Sequence, residues 1–223
     1  MDKMLRWVSV FAIFLEVFAQ TDLQKKVFVF PRESDSDHVS LLTKLEKPLQ
    51  NVTVCLRAYS DLSRQYSLFS YNTQGRDNEL LIYKENIGKY SLYIGGTRVT
   101  AKVHEEIPAP VHICTSWESS SGIVEFWING KPMVKKGLKK GYSVAPHPKI
   151  ILGQEQDSYG GSFEQSQSFV GEFGDLYMWD SVLSPEQILS AYDGFPDSAN
   201  ILNWKALNYE SKGYVIIKPR VWA

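Results

Sequence analysis

Residues 123–134 read IVEFWINGKPMV. Phe126-Trp127-Ile128 and Pro132-Met133-Val134 flank Asn129-Gly130, a dipeptide that tolerates positive φ at both central positions and so closes a type I′ hairpin. The same pattern continues in both directions. Segments rich in Val, Ile, Phe and Tyr stand at Val27–Phe30, Val52–Tyr59, Leu68–Tyr71, Leu80–Tyr83, Tyr90–Ile94, Val111–Trp117, Ile123–Ile128, Ile150–Leu152, Phe169–Trp179 and Tyr214–Ile217. Turn formers lie between them, among them residues 72–75, Gly95-Gly96, Pro108, Pro110 and residues 119–122. Many short strands with no helices alternating between them predict an all-β fold of two packed antiparallel sheets.

One helix breaks the pattern. Ser184 caps it, Pro185 suits the first helical position, Gln187 completes a capping box and Gly194 ends it. Ile188, Leu189 and Tyr192 are expected on its apolar face, which has to cover the outside of one sheet.

The first residues speak to compartment. Lys3 and Arg6 precede an apolar run from Trp7 to Leu15, and Val17 and Ala19 supply small residues for cleavage, so residues 1–19 read as a secretory leader. Residues 20–223 then form a single domain. The apolar run is shorter than the roughly 20 residues a bilayer requires, and no later stretch comes closer, so a secreted, soluble product is expected. Removing the leader takes away Asp2, Glu16, Lys3 and Arg6, which leaves the formal net charge at -1. Bulk charge therefore calls for neither nucleic acid nor membrane.

In an oxidising compartment the two cysteines, Cys55 and Cys114, have one possible pairing, worth about 4 kcal/mol on the chain-entropy account. A structural zinc site on His112 and Cys114 lacks the four ligands it needs. Asn51-Val52-Thr53 is an N-glycosylation acceptor.

Residues 153–168, GQEQDSYGGSFEQSQS, crowd carboxylates and side-chain amides between two apolar runs. Glu155 and Asp157 are two apart, so on extended chain both project to one side, with the Gln156 carbonyl free to join them and Gln167 able to add an amide oxygen. Asp77-Asn78 offers a second set of oxygen donors. Six to eight such oxygens suit calcium, whereas a solvated loop has the same composition, and the EF-hand spacing is absent. A jelly-roll glycosidase would need a second acid where Gly160 stands. No serine elbow, HExxH, Walker loop or dinucleotide fingerprint occurs, so no enzymatic activity is expected.

His112-Ile113-Cys114-Thr115-Ser116-Trp117-Glu118-Ser119 fits His-x-Cys-x-Ser/Thr-Trp-x-Ser/Thr, and from Val27 to Trp222 the chain resembles the pentraxin family. That resemblance implies a flattened jelly-roll, lectin-like, with the helix on one face and two calcium ions on the other. Asp77, Asn78, Glu155, Asp157 and the Gln156 carbonyl would hold the first ion, and Glu155, Asp157 and Gln167 the second, more exposed one. Leu81, Tyr83 and Tyr93 would wall the pocket for a ligand head group, and two tyrosines there favour phosphoethanolamine over a choline group. The resemblance further implies a homopentameric ring, with stacked discs within its range, and an innate-immune, acute-phase role. Its partners would be phosphoethanolamine, anionic glycans, amyloid fibrils and cell debris, with DNA or chromatin, heparin and complement as further candidates through Lys135–Lys140 or its surroundings. The rival of the same fold class is a monomeric lectin-like adhesion module.

Overall fold

A computed structural model describes residues 20–222, so the expected leader at 1–19 and its cleavage after Ala19 lie outside the described residues. In chain order the strands are β1 (Lys26–Phe30), β2 (His38–Leu41), β3 (Asn51–Ser60), β4 (Tyr66–Thr73), β5 (Arg76–Asn86), β6 (Lys89–Ile94), β7 (Thr97–Lys102) and β8 (Ala109–Glu118). There follow β9 (Ile123–Ile128), β10 (Lys131–Pro132), β11 (Lys136–Gly137), β12 (Lys149–Leu152), β13 (Gly171–Trp179), α1 (Pro185–Tyr192), β14 (Leu202–Asn203), β15 (Tyr209–Lys212) and β16 (Ile216–Pro219). One sheet runs β10-β9-β8-β3-β13-β1-β16, with β11 and β14 beside it. The other runs β15-β2-β12-β4-β5-β6-β7. All pairings are antiparallel, as the sequence predicts.

Alternation along each strand sorts side chains between the shared core and the outer faces. On β3, Val54, Leu56 and Ala58 enter the core, while Thr53 and Arg57 face outward and bond to Ser181 and Tyr192 at the two ends of the helical segment. On β5, Leu80 and Ile82 enter the core and Leu81 and Tyr83 face outward. Helix and candidate site thus belong to opposite sheets. Trp117 is fully buried and donates its indole N–H to the Leu138 carbonyl at 2.8 Å.

The quoted hairpin closes as read. Asn129 and Gly130 have φ of 49° and 72°, and Lys131 pairs with Ile128. A Cβ on Gly130 would lie 3.0 Å from the Tyr192 ring, so the turn also seats the end of the helix. The capping box at Ser184 and Gln187 forms in full. Ile188 is buried as expected, but Leu189 corrects the helix reading: it is exposed, and Ala191 joins Ile188 in the buried contact. A helix of eight residues presents only a narrow stripe to the sheet. Tyr214 likewise precedes its strand, which begins at Ile216, and is exposed.

Cys55 and Cys114 are direct cross-strand partners on β3 and β8 and are disulfide-bonded. Among the described residues, Cys55, His112 and Cys114 are the one trio of potential metal ligands with donor atoms within 4.8 Å of each other, but the disulfide occupies both sulfurs. Asn51 opens β3 half-buried, and the Thr53 hydroxyl of its sequon donates to the Ser181 carbonyl at 2.6 Å. Among the described residues no helix is long and apolar enough to cross a membrane.

Candidate metal centre and ligand pocket

Two segments far apart in sequence meet at one end of the seven-stranded sheet. The first is the start of β5. Asn78 adopts a left-handed φ of 49°, a conformation asparagine tolerates, and its carbonyl accepts from Gly96 N at 3.1 Å. Behind it, buried Glu79 accepts from the Tyr142 hydroxyl at 2.7 Å and from Ala145 N at 2.6 Å, which anchors the strand's start from below.

The second segment leaves β12 at Gly153. Its φ is 91° and a Cβ there would fall 2.2 Å from the Phe30 ring, so only glycine fits. The loop is then stapled from within. Gln154 donates to the carbonyls of Ser34 and Asp37, at 2.7 and 3.0 Å. Gln156 donates to Ser70 O at 3.0 Å and Lys149 O at 3.1 Å, and its amide oxygen accepts from Gly160 N at 2.9 Å. Two of the amides that made the loop look donor-rich are therefore internal fastenings. Asn72, fully buried on β4, accepts from Asn78 N at 2.9 Å and donates to the Gln156 carbonyl at 2.7 Å. That carbonyl keeps a second lone pair.

The carboxylates of Asp77, Glu155, Asp157 and Glu164 lie near enough to influence one another's protonation. Glu155 is raised to about 7 by burial first, then by the Asp157 carboxylate, with Asp77 and Glu164 adding and the Asn78 amide opposing. Asp157 is raised by burial, Glu164 and Asp77. Burial is graded, with Glu155 and Gln156 inside, Asn78 and Gln167 at the boundary, and Asp77 and Asp157 exposed. Among the described residues, the carboxylates of Asp77, Glu155 and Asp157 do not close to within 4.8 Å of one another as a trio. Glu164 is a further carboxylate of this loop that the sequence reading passed over. It accepts from Gln167 Nε2 at 3.0 Å.

The donor set fits a hard cation. Asn78 Oδ1 and Glu155 Oε1 are buried oxygens with no hydrogen-bond partner among the described residues. Such orphans cost about 1–3 kcal/mol each. Oxygen ligands at flexible geometry are what calcium takes.

The three expected pocket residues lie together. Leu81 and Tyr93 are cross-strand partners on β5 and β6, and Tyr83 donates its hydroxyl to Gln167 Oε1 at 3.3 Å. Leu81 and Tyr83 are buried but stand apart from the internal core, on the outer face of their sheet. Tyr93 accepts from Arg98 at 2.7 Å, and Arg98 pairs with Glu85 at 2.7 Å. Concavities of about 410 Å³ (Phe28, Val215, Ile217) and 310 Å³ (Val103, Glu105, Ile128) lie elsewhere. In the lysine run, Lys135 pairs with Glu125, Lys136 donates to the Thr100 carbonyl and Lys139 lies over the Tyr142 ring.

The Pentaxin family profile matches residues 26–219. The chain belongs to the pentraxin family. Serum amyloid P-component of Cavia porcellus is 78% identical to this pentraxin over 222 residues, and that of Homo sapiens 74%, each covering 100% of both chains. A heptameric SAP-like pentraxin from Limulus polyphemus matches with a TM-score of 0.81 at 23% identity, over 90% of this chain and 98% of that one. The likeness confirms the two-sheet jelly-roll. Pentraxins such as serum amyloid P-component are recognition proteins.

Proposed function

We propose that this pentraxin is a secreted, calcium-dependent pattern-recognition protein that captures phosphate-bearing head groups, phosphoethanolamine in particular, and polyanionic surfaces. The observation that carries this reading is the pair of buried, partnerless oxygens, Asn78 Oδ1 and Glu155 Oε1, set among Asp77, Asp157 and the Gln156 carbonyl beside an outward apolar pocket. Two calcium ions, when bound, supply positive charge with open coordination positions for the oxygens of a phosphate monoester or a cyclic acetal of pyruvate. Asp77, Asn78, Glu155, Asp157 and the Gln156 carbonyl surround the inner ion. Glu155, Asp157 and Gln167 serve the outer one. Leu81, Tyr83 and Tyr93 receive the carbon end of the head group.

A single such site is weak, because extracellular calcium modules hold their metal at about 0.1–1 mM. Coplanar sites on a homopentameric ring raise avidity by about 10²–10⁴ on a repetitive surface, without new contacts. That suits amyloid fibrils, in keeping with the relatives' name, serum amyloid P-component. It also suits cell debris and anionic glycans. Chromatin or heparin binding through Lys135–Lys140 would have to compete with the contacts of three of those lysines. Retention on immobilised phosphoethanolamine tests the proposal. The protein is expected to bind in calcium, to bind phosphocholine less well and to elute in EGTA. Capture that survives excess EGTA would refute it, and sedimentation at the mass of one chain would favour the monomeric adhesion module.

A further inference from the structure

We propose that Asn72 is the positioning residue of the metal centre, a neutral clamp that sets the spacing between its two donor-bearing segments. The proposal rests on the calcium reading given above. Each half is organised by its own elements. Asn78 follows the β4–β5 hairpin, and the loop after β12 is fixed by the side chains of Gln154 and Gln156. Asn72 touches both. Its Oδ1 accepts from the Asn78 amide at 2.9 Å, six positions along the chain, and its Nδ2 donates to the Gln156 carbonyl at 2.7 Å, 84 positions along.

The residue type matters because a planar carboxamide carries one donor and one acceptor group at fixed separation, and carries no charge. A carboxylate would only accept, and would add to the negative charge already gathered at Asp77, Glu155, Asp157 and Glu164. An aliphatic side chain would leave Asn78 N–H unpaired. The two bonds act on groups adjoining the metal rather than on the metal itself. The first orients the residue whose Oδ1 is held ready, and the second aims the Gln156 carbonyl while leaving it a free lone pair. Since the acidic groups repel one another, a neutral tether between the halves holds the two segments together without adding to that repulsion. Partners of this outer kind usually contribute about 10–100-fold to metal affinity.

If Asn72 merely fills space and pairs buried groups, replacing it lowers stability and leaves metal affinity alone. Calorimetric calcium titration of the full assembled protein separates the two roles, using wild type, Asn72→Ala and the near-isosteric Asn72→Leu. Both variants are expected to bind calcium about 10-fold or more weakly, to melt cooperatively in EGTA, and to recover phosphoethanolamine capture at saturating calcium. A calcium Kd within about threefold of wild type in either variant overturns the clamp. Failure of wild type itself to bind calcium overturns the metal reading instead. Hydrogen exchange on unmodified, calcium-free protein tests the first of the two bonds even where the variants do not fold. The Asn78 amide should exchange as slowly as the paired amides of β5, and exchange at the rate of open chain overturns the proposal.

Discussion

Glu155 holds its carboxyl where a proton is favoured, and that has a measurable consequence. Its value rises from 4.5 to about 7 because it is buried and faces Asp157. The metal-free folded protein therefore keeps a proton that the unfolded chain releases above about 4.5, so stability falls as pH rises from about 4.5 to 7 and is level beyond. The effect is on the order of 1–2 kcal/mol once solvent screening is allowed for. Glu155→Gln should remove most of that slope and raise the melting temperature in EGTA at pH 8, while weakening calcium binding. Thermal melts in EGTA across this range check it, and an unaltered slope in the variant contradicts it. Calcium has to displace the same proton, so affinity should also fall below about pH 7. At this scale the sequence was legible only in part. Glu155 and Asp157 stood out as spaced carboxylates, but composition alone fitted a solvated loop equally well. Asn72 and Glu164 gave no signal, because a polar residue in a strand or loop acquires meaning only from what the fold sets opposite it.

The helix shows how much an element can reveal of itself. Ser184, Pro185 and Gln187 announce its start, and all three play the expected parts. Ser184→Ala should cost about 1 kcal/mol of stability, read as a lower denaturant midpoint. Calcium affinity should not change, since the helix covers the opposite sheet, and a matching loss of affinity would contradict this separation of faces. Strands β3, β5, β8 and β9 were readable because β-branched, aromatic and other apolar residues recur along them. Strands β7 and β15 escaped notice because each lies at an edge of its sheet and places few side chains in the core. Leu189 misled because hydrophobic spacing cannot tell which of two adjacent apolar residues a short helix turns inward.

At the scale of the whole molecule, the proposed function has the two sheets divide labour between covalent reinforcement and recognition. The disulfide joins neighbouring strands of the sheet beneath the helix and closes a separation of 59 positions. Replacing both cysteines by alanine should destabilise the chain by about 4 kcal/mol, with calcium affinity retained wherever the variant is folded. Equilibrium unfolding paired with calcium titration checks both halves of that statement. On the proposed reading, ring closure would multiply a weak site on one face, so that strength of capture depends on how many sites a target engages rather than on the affinity of any one. The most direct measurement is a crystal structure of the protein grown in calcium. The account predicts two metal peaks per chain at about 2.3–2.6 Å from oxygens of Asp77, Asn78, Glu155, Asp157, Gln167 and the Gln156 carbonyl. Metal density away from these residues, or none at saturating calcium, would contradict it.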